Sequence, residues 1–389
     1  MAPWVTTLID LAIAGAVVYA QWRLGRAFFE WVTLRRRMWL RWLPVPLASL
    51  MVIAFLLNYF PPVSQLPGLW FRSWMVLRIL TALWAFGSTA VYLGWLAFER
   101  FSRQVAQFDP ARRRLLHAAG SAAAAAPFAM LGYGSLIGRT DFRVRELDVP
   151  IPKLPPDLQG VRLLQLSDIH LSPFLSEAEL ARVVDAANHV RAQAALVTGD
   201  LITTKGDPLD ACLRQLSRLR VDSEILGCLG NHEIYANAEE YATQRGARLG
   251  IGFLRQRNRE LRFGHARLNI AGVDYQRISM RSRYLEGAEK LAVPGAVNVL
   301  LSHSPDVFPV AAAKGFDLTV SGHTHGGQVT IEILHQTLNV ARFLTPYVYG
   351  LYGSDTGAAA YVSRGLGTVG LPARIGAPPE IVVLRLVKA

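Results

Sequence analysis

Only two cysteines, Cys212 and Cys228, occur in 389 residues, and they form no Cys-x-x-Cys pair. That excludes a disulfide-stapled scaffold and a dithiol or zinc-ribbon site, so both are expected as buried thiols. Charge is also scarce, at 18% of residues against 51% hydrophobic. A disordered chain needs the opposite balance. Lysine is absent before Lys153, and tryptophan is absent after Trp95. These two absences divide the chain. Residues 1–140 hold 14 Arg and four acids (Asp10, Glu30, Glu99, Asp109), while the remainder holds 27 basic and 25 acidic groups. Of the overall charge of +12, all but +2 therefore belongs to an apolar, Trp-rich N-terminal third. Arginine and tryptophan beside apolar runs mark a membrane interface, not a DNA-binding face, so no nucleic-acid partner is expected.

A helix needs about 20 apolar residues to cross a bilayer core. Four stretches are candidates. Trp4–Gln21 is uncharged except for Asp10, Trp42–Phe60 and Ile79–Phe98 carry no charge, and Leu115–Ile137 is uncharged but Ala-rich. Buried helices of a soluble core are the alternative. Arginine placement orients the set. Arg23, Arg26, Arg35, Arg36, Arg37 and Arg41 lie between the first and second stretches, and Arg100, Arg103, Arg112, Arg113 and Arg114 between the third and fourth. The loop Pro61–Ser73 has only Arg72. The positive-inside rule then places the Arg-rich loops in the cytoplasm and everything after residue 138 outside. The run Arg112-Arg113-Arg114-Leu115-Leu116 before the alanines also resembles a twin-arginine export signal, an address read by the export machinery for folded cargo. The expected organisation is a transmembrane module at 1–140, a Pro-containing lead-in at 141–160, and a catalytic domain at 161–389.

The texture changes after residue 140. Val161–Leu166, Ala194–Thr198, Glu224–Leu229, Asn298–Leu301, Phe316–Val320, Gln328–Leu334 and Ile381–Leu386 read as strands. Ser176–Arg191, Leu209–Leu219 and Ala236–Leu249 read as helices. Strands alternating with helices predict an α/β domain.

Polar clusters follow five of those strands: Ser167-Asp168-Ile169-His170, Gly199-Asp200, Gly230-Asn231-His232-Glu233, Ser302-His303 and Gly322-His323-Thr324-His325. In open α/β sheets the carboxyl ends of strands converge on one crevice. Imidazole, carboxylate and amide oxygens suit borderline or hard divalent metals, and no thiolate is on offer. Asp-x-His and His-x-His on extended backbone would put both side chains on one face. Taken alone, Asp168 or Asp200 could cap a helix, and His117, His189, His265 and His335 read as ordinary polar residues. Seven donors exceed one tetrahedral zinc but suit two ions sharing a carboxylate, a pairing that can clamp both oxygens of a phosphoryl displacement.

As a set, Asp168-x-His170, Gly199-Asp200, Gly230-Asn231-His232-Glu233, His303 and Gly322-His323-x-His325 resemble the motifs of calcineurin-like metallophosphoesterases. The likeness runs from about residue 161 to 386. Leu166–His170, Ser363–Gly367 and Pro378-Pro379-Glu380 resemble a bacterial membrane-linked or exported branch. The resemblance implies a two-layered β-sandwich flanked by helices, and two divalent ions, of which Mn, Fe and Zn lead the candidates. Asp168, His170 and His325 would hold one, Asn231, His303 and His323 the other, and Asp200 would bridge them. Asn231 would also face the substrate. His232 would serve the leaving oxygen as acid, while a hydroxide between the ions attacks phosphorus. Arg364 and Arg374 are candidates for binding the substrate phosphate.

The expected function is a multi-pass bacterial inner-membrane phosphoesterase with an extracytoplasmic catalytic domain. Its substrate would be a phosphomonoester, phosphodiester or pyrophosphate of a lipid or envelope polymer. The alternatives are a pyrophosphatase for an acylated nucleotide-sugar at the cytoplasmic face, and a non-catalytic metal-bound sensor or scaffold. A transporter fits poorly, since Asp10 and Arg78 are the candidates for intramembrane charge and offer little polar pathway.

Overall fold

The computed structural model describes residues 129–389 except 334–335, together with residues 15–26, 29–30, 49, 84, 87–89, 91–97 and 100. The chain divides into two units, Met1–Tyr133 and Gly134–Ala389. In the first unit residues 15–26 and 91–97 are helical, and the Gln21 amide donates to the Ser88 hydroxyl. Among the described residues no helix is long and apolar enough to cross a membrane. Of the expected spans, Trp42–Phe60 lies outside the described residues apart from residue 49, and the other three lie only partly within them. The twin-arginine-like run at 112–116 lies outside them altogether.

In the second unit, strand alternation builds the layers. Strands β1 (Arg143–Ile151), β2 (Arg162–Leu166), β3 (Ala194–Thr198), β4 (Ile225–Cys228) and β5 (Ile251–Phe253) are followed by β6 (Arg257–Phe263) and β7 (Ala266–Gly272). Then come β8 (Val297–Leu301), β9 (Leu318–Ser321), β10 (Thr330–Ile333), β11 (Gln336–Asn339), β12 (Gly350–Gly353), β13 (Ala359–Val362) and β14 (Glu380–Lys388). They form two six-stranded sheets, β1-β14-β2-β3-β4-β5 and β12-β13-β9-β8-β7-β6, plus the β10–β11 hairpin. In the first sheet Leu163, Leu196 and Val382 join Ile270, Val299 and Val320 of the second in a core between the sheets. Their neighbours Leu164, Val197 and Val383 point the other way, into a core shared with helices. A strand buried on both faces reads as a continuous apolar run, which is why these strands were legible. Burying each leucine contributes roughly 1.5–3 kcal/mol.

Helices α1 (Glu177–Asn188), α2 (Leu209–Leu216), α3 (Asn231–Ala236), α4 (Glu239–Arg248) and α5 (Phe308–Ala313) complete the unit. The start of α1 is set by a capping box. Ser176 Oγ accepts from the Glu179 N–H at 3.2 Å, and Glu179 Oε2 accepts from the Ser176 N–H at 2.7 Å. Leu180, Val183, Val184 and Ala187, spaced at one helical face, bury against the first sheet.

Three expectations change. The segment expected as a lead-in contains β1, which pairs in parallel with β14 along nine residues. The expected helix Ala236–Leu249 begins only at Glu239, because Asn237 takes a left-handed conformation (φ 53°) and ends α3 at Ala236. The antiparallel pair β6–β7 and the strands β12 and β13 were not expected. β6 and β12 are mostly exposed or intermediate and β12 and β13 are short, so their alternation is weak, while β7 is buried almost throughout. Cys212 and Cys228 are free and buried, as expected.

Candidate metal centre

The carboxyl ends of β2, β3, β4, β8 and β9 deliver the five polar clusters to one place. Asp168, His170, Asp200 and His325 form one group of possible ligand atoms, and Asp200, His303 and His323 a second, all within 4.8 Å of one another in each group. Asp200 belongs to both. His303 Nε2 lies 3.0 Å and His170 Nε2 3.4 Å from Asp200 Oδ2, and His325 Nε2 lies 3.4 Å from Asp168 Oδ1. Asn231, the first residue of α3, brings an amide oxygen that is buried without a hydrogen-bond partner.

The backbone reaches this arrangement by a route that alternation did not foresee. Asp168, His170, Asp200, His323 and His325 all have positive φ, between 47° and 76°. The Asp-x-His and His-x-His pairs therefore converge through left-handed turns beyond the strand ends, not through extended pleating. Each such non-glycine residue costs on the order of 1–3 kcal/mol, a strain that concentrates at functional sites. Glycines make room for it. A Cβ on Gly230 would overlap the Asp200 carboxylate, and one on Gly322 would overlap Ser167 and Asp168.

Hydrogen bonds fix the ligands from behind. Asp168 Oδ2 accepts the Ser167 hydroxyl at 2.6 Å, and its Oδ1 accepts the His323 N–H at 2.8 Å. Asp200 Oδ1 accepts the His232 N–H at 2.9 Å. His303 Nδ1–H donates to the Thr198 carbonyl at 2.7 Å, leaving Nε2 toward Asp200. His170 Nδ1 meets Thr203 Oγ1 at 3.2 Å, and His325 Nδ1 lies 3.4 Å from the Gly367 carbonyl. A hydrogen bond on one ring nitrogen orients the other for a metal. The Nε2 atoms of His170 and His303 are buried with no hydrogen-bond partner among the described residues. Buried polar atoms seldom go unsatisfied. Two such imidazole nitrogens, an orphaned amide oxygen and two buried carboxylates fit a pair of divalent cations, which would complete all of them at once.

Electrostatics agree. Burial raises the Asp168 carboxyl above its usual range. Burial also opposes ionisation of Asp200, but His303 and His170 outweigh it and hold Asp200 well below that range. Burial would lower His303, yet the Asp200 and Asp168 carboxylates lift it to about 10. Burial, then the charge on His303, depresses His323 to about 4. Burial, then the charge on His170, holds His325 well below the usual imidazole range. Without ions, the chain thus keeps a proton on His303 and leaves His323 and His325 as neutral lone-pair donors.

His232 stands apart from both groups. Its Nδ1–H donates to the Thr203 carbonyl at 2.6 Å, and its ring meets His170 edge-on at 4.7 Å. Two roles escaped sequence reasoning. Glu233 is fully buried, and its carboxylate accepts the N–H groups of Gly230 (2.8 Å), Asp200 (2.9 Å), Leu201 (2.8 Å) and Ile202 (3.4 Å). It staples the Asp200 turn to the start of α3, and burial followed by the Asp200 charge pushes it up to about 7. Its position three residues after Gly230 was the available signal. Tyr275 lies over His323 and His303, with ring centroids at 5.3 and 6.0 Å, and nothing in its surrounding sequence marked it.

The two arginines part company. Arg364 lays its guanidinium over the Tyr349 ring at 4.3 Å, and its Nε has no hydrogen-bond partner. Arg374 does not reach the site as a phosphate ligand. It is buried, and it donates to the carbonyls of Gly367 (2.5 and 3.1 Å), Arg364 (2.7 Å), Ala377 (3.2 Å) and His325 (3.3 Å). Its N–H groups are spent on holding the His325 and Gly367 backbone in place.

The comparisons agree with this geometry. The calcineurin-like phosphoesterase family profile matches residues 161–327. An uncharacterized metallophosphoesterase of Campylobacter jejuni is 30% identical over 246 residues, 62% of this chain and 63% of that one. A zebrafish (Danio rerio) protein named transmembrane protein with metallophosphoesterase domain is 28% identical over 268 residues, 66% of this chain and 60% of that one. A Helicobacter pylori metallophosphoesterase is 25% identical over 322 residues, covering 80% of this chain and 82% of that one. That match is too long to fit within residues 134–389. Residues 161–327 thus carry a calcineurin-like phosphoesterase domain, of a family of hydrolases acting on phosphoesters. The chain spans 63% and 60% of the first two relatives' lengths.

Proposed function

We infer that the chain is a membrane-anchored phosphoesterase with a two-ion centre, acting on a phosphomonoester, phosphodiester or pyrophosphate of a lipid or envelope polymer. The observation that carries the reading is Asp200, shared between two donor groups whose facing His170 and His303 nitrogens have no other partner. Asp168, His170 and His325 would hold one ion, and Asn231, His303 and His323 the other. Two divalent cations of the Mn, Fe or Zn kind would supply positive charge to the phosphoryl oxygens and acidify water beside them.

The chain's own residues do the rest. Thr203 holds His232 by Nδ1, which leaves Nε2 to carry a proton to the leaving oxygen. Asn231, next in the chain, borders the same space. Glu233 and Arg374 keep the ligand turns in register, and the Tyr275 ring packs beside His323 and His303. Arg364, with its unsatisfied Nε, is the candidate for gripping a phosphate oxygen.

Membrane anchoring rests on the Trp- and Arg-rich N-terminal third and on relatives named as transmembrane proteins. The positive-inside pattern supports a multi-pass inner-membrane protein with the catalytic domain outside, delivered through the twin-arginine machinery or by the fourth span. Two measurements test the reading. The purified full chain with Mn²⁺ should turn over bis-p-nitrophenyl phosphate, and an absence of turnover with two ions bound would favour a scaffold. A reporter fused after residue 140 should report an extracytoplasmic location. A cytoplasmic result would favour the acylated nucleotide-sugar alternative.

A further inference from the structure

Beside His323 a cavity of about 270 Å³ opens between two exposed segments. Its lining is mostly carbon, supplied by Tyr275, Ile278, Tyr284 and Leu344. Its one carboxylate, Asp306, is occupied by the Thr345 hydroxyl at 2.7 Å. At the mouth, apolar side chains stand in water. Ile278 is 60% exposed and Leu344 74%, while Met280 and Phe343 beside them in the chain are 47% and 83% exposed. Isolated exposed apolar residues need no explanation, but a cluster at the lip of a cavity that shares a wall with a catalytic centre marks a binding surface. The same segments carry Arg277, Arg281 and Arg342, exposed and without a carboxylate partner among the described residues.

We propose that this cavity receives the hydrocarbon tail of the substrate, so that the enzyme acts on amphiphilic phosphoesters whose alkyl or acyl chain lies between Ile278 and Leu344 while the phosphate sits at the Asp200 centre. The inference rests on the phosphoesterase reading and adds the substrate class to it. Continuity decides the occupant, because His323 belongs both to the cavity wall and to the ligand group. Charge supports it, because Arg277, Arg281 and Arg342 flank the apolar lip and suit a substrate drawn from an anionic lipid surface. No atom of the tail takes part in the reaction; it adds binding on the near side of the phosphorus.

The test is a chain-length series on the full chain in nanodiscs of zwitterionic lipid, loaded with Mn²⁺. Alkyl p-nitrophenyl phosphodiesters from methyl to octyl give kcat/KM, and the matching alkyl phosphonates give affinity by calorimetry. Both should rise with length, by about twofold to fourfold per methylene until the cavity is filled. Leu344→Asp should flatten the rise in both series, and Leu344→Met should restore it. A flat series in the unaltered protein, with the methyl ester still hydrolysed, overturns the tail cavity and leaves the phosphoesterase reading standing. Length-dependent phosphonate binding with no hydrolysis of any ester overturns the phosphoesterase reading and keeps the cavity. An effect of Leu344→Asp equal on methyl and octyl substrates also overturns the proposal.

Discussion

The two sheets contribute unlike chemistry to the centre. The β2–β3–β4 side supplies both carboxylates, the amide, His170 and His232, all carried on turns that lead toward helices. The β8–β9 side supplies imidazoles alone, His303, His323 and His325. The first side is cross-tied: Glu233 gathers four N–H groups and Asp200 accepts the His232 amide. The second borders open space, with Tyr275 and the cavity next to it. One sheet thus sets the negative charge rigidly, and the other offers imidazoles on the side where the cavity opens.

That division can be broken, starting with the residue common to both groups. Asp200→Ala should reduce bound metal from two ions to fewer than one per chain, measured by plasma emission, and take turnover to background. Retention of both ions would show that the sheets do not share a carboxylate. His232→Ala should lower kcat by roughly 10²–10⁴-fold with metal content unchanged. Loss of metal instead would move His232 into the ligand set. Glu233→Gln replaces a four-fold acceptor with an amide that turns two donors toward backbone N–H groups. It should lower metal affinity by about 10–100-fold and stability by about 1–3 kcal/mol, read from competition with a chelator and from denaturant melts. The equivalent conservative change on the imidazole side, His325→Gln, should spare stability.

The smallest effect is a proton count. His303 is raised to about 10 in the ion-free chain, so it is charged at neutral pH and must lose its proton to become a ligand. Metal affinity should therefore climb with pH up to about 10. Calorimetry at pH 7 in buffers of different ionisation enthalpy should find about one proton released that His303→Gln does not release. Equal release from both proteins would place that proton elsewhere.

Much of this was legible in the residues. Val161–Leu166 and Ala194–Thr198 stood out because burial on both faces makes a strand mostly apolar, and the ligands followed at the strand ends. The turn that aims each ligand was not legible. Nothing in Asp168-Ile169-His170 announces positive φ at both ends, because that conformation is imposed by neighbours such as Gly365 and Gly367 packing against Asp168 and His170. Arg374 looked like a phosphate ligand for the same reason. Its type was visible, but its burial among carbonyls comes from tertiary structure. Strand β1 was hidden because its strand partner, β14, lies at the other end of the chain.

The imidazoles are held from behind by Thr198, Thr203 and Gly367, groups that exist as soon as the chain folds. The receptacle is therefore finished before its cargo arrives. A preset nest of nitrogen and oxygen donors discriminates poorly among first-row cations, whose binding follows availability more than geometry. The surroundings in which folding is completed would then decide which ion fills the nest, without a change to a single residue.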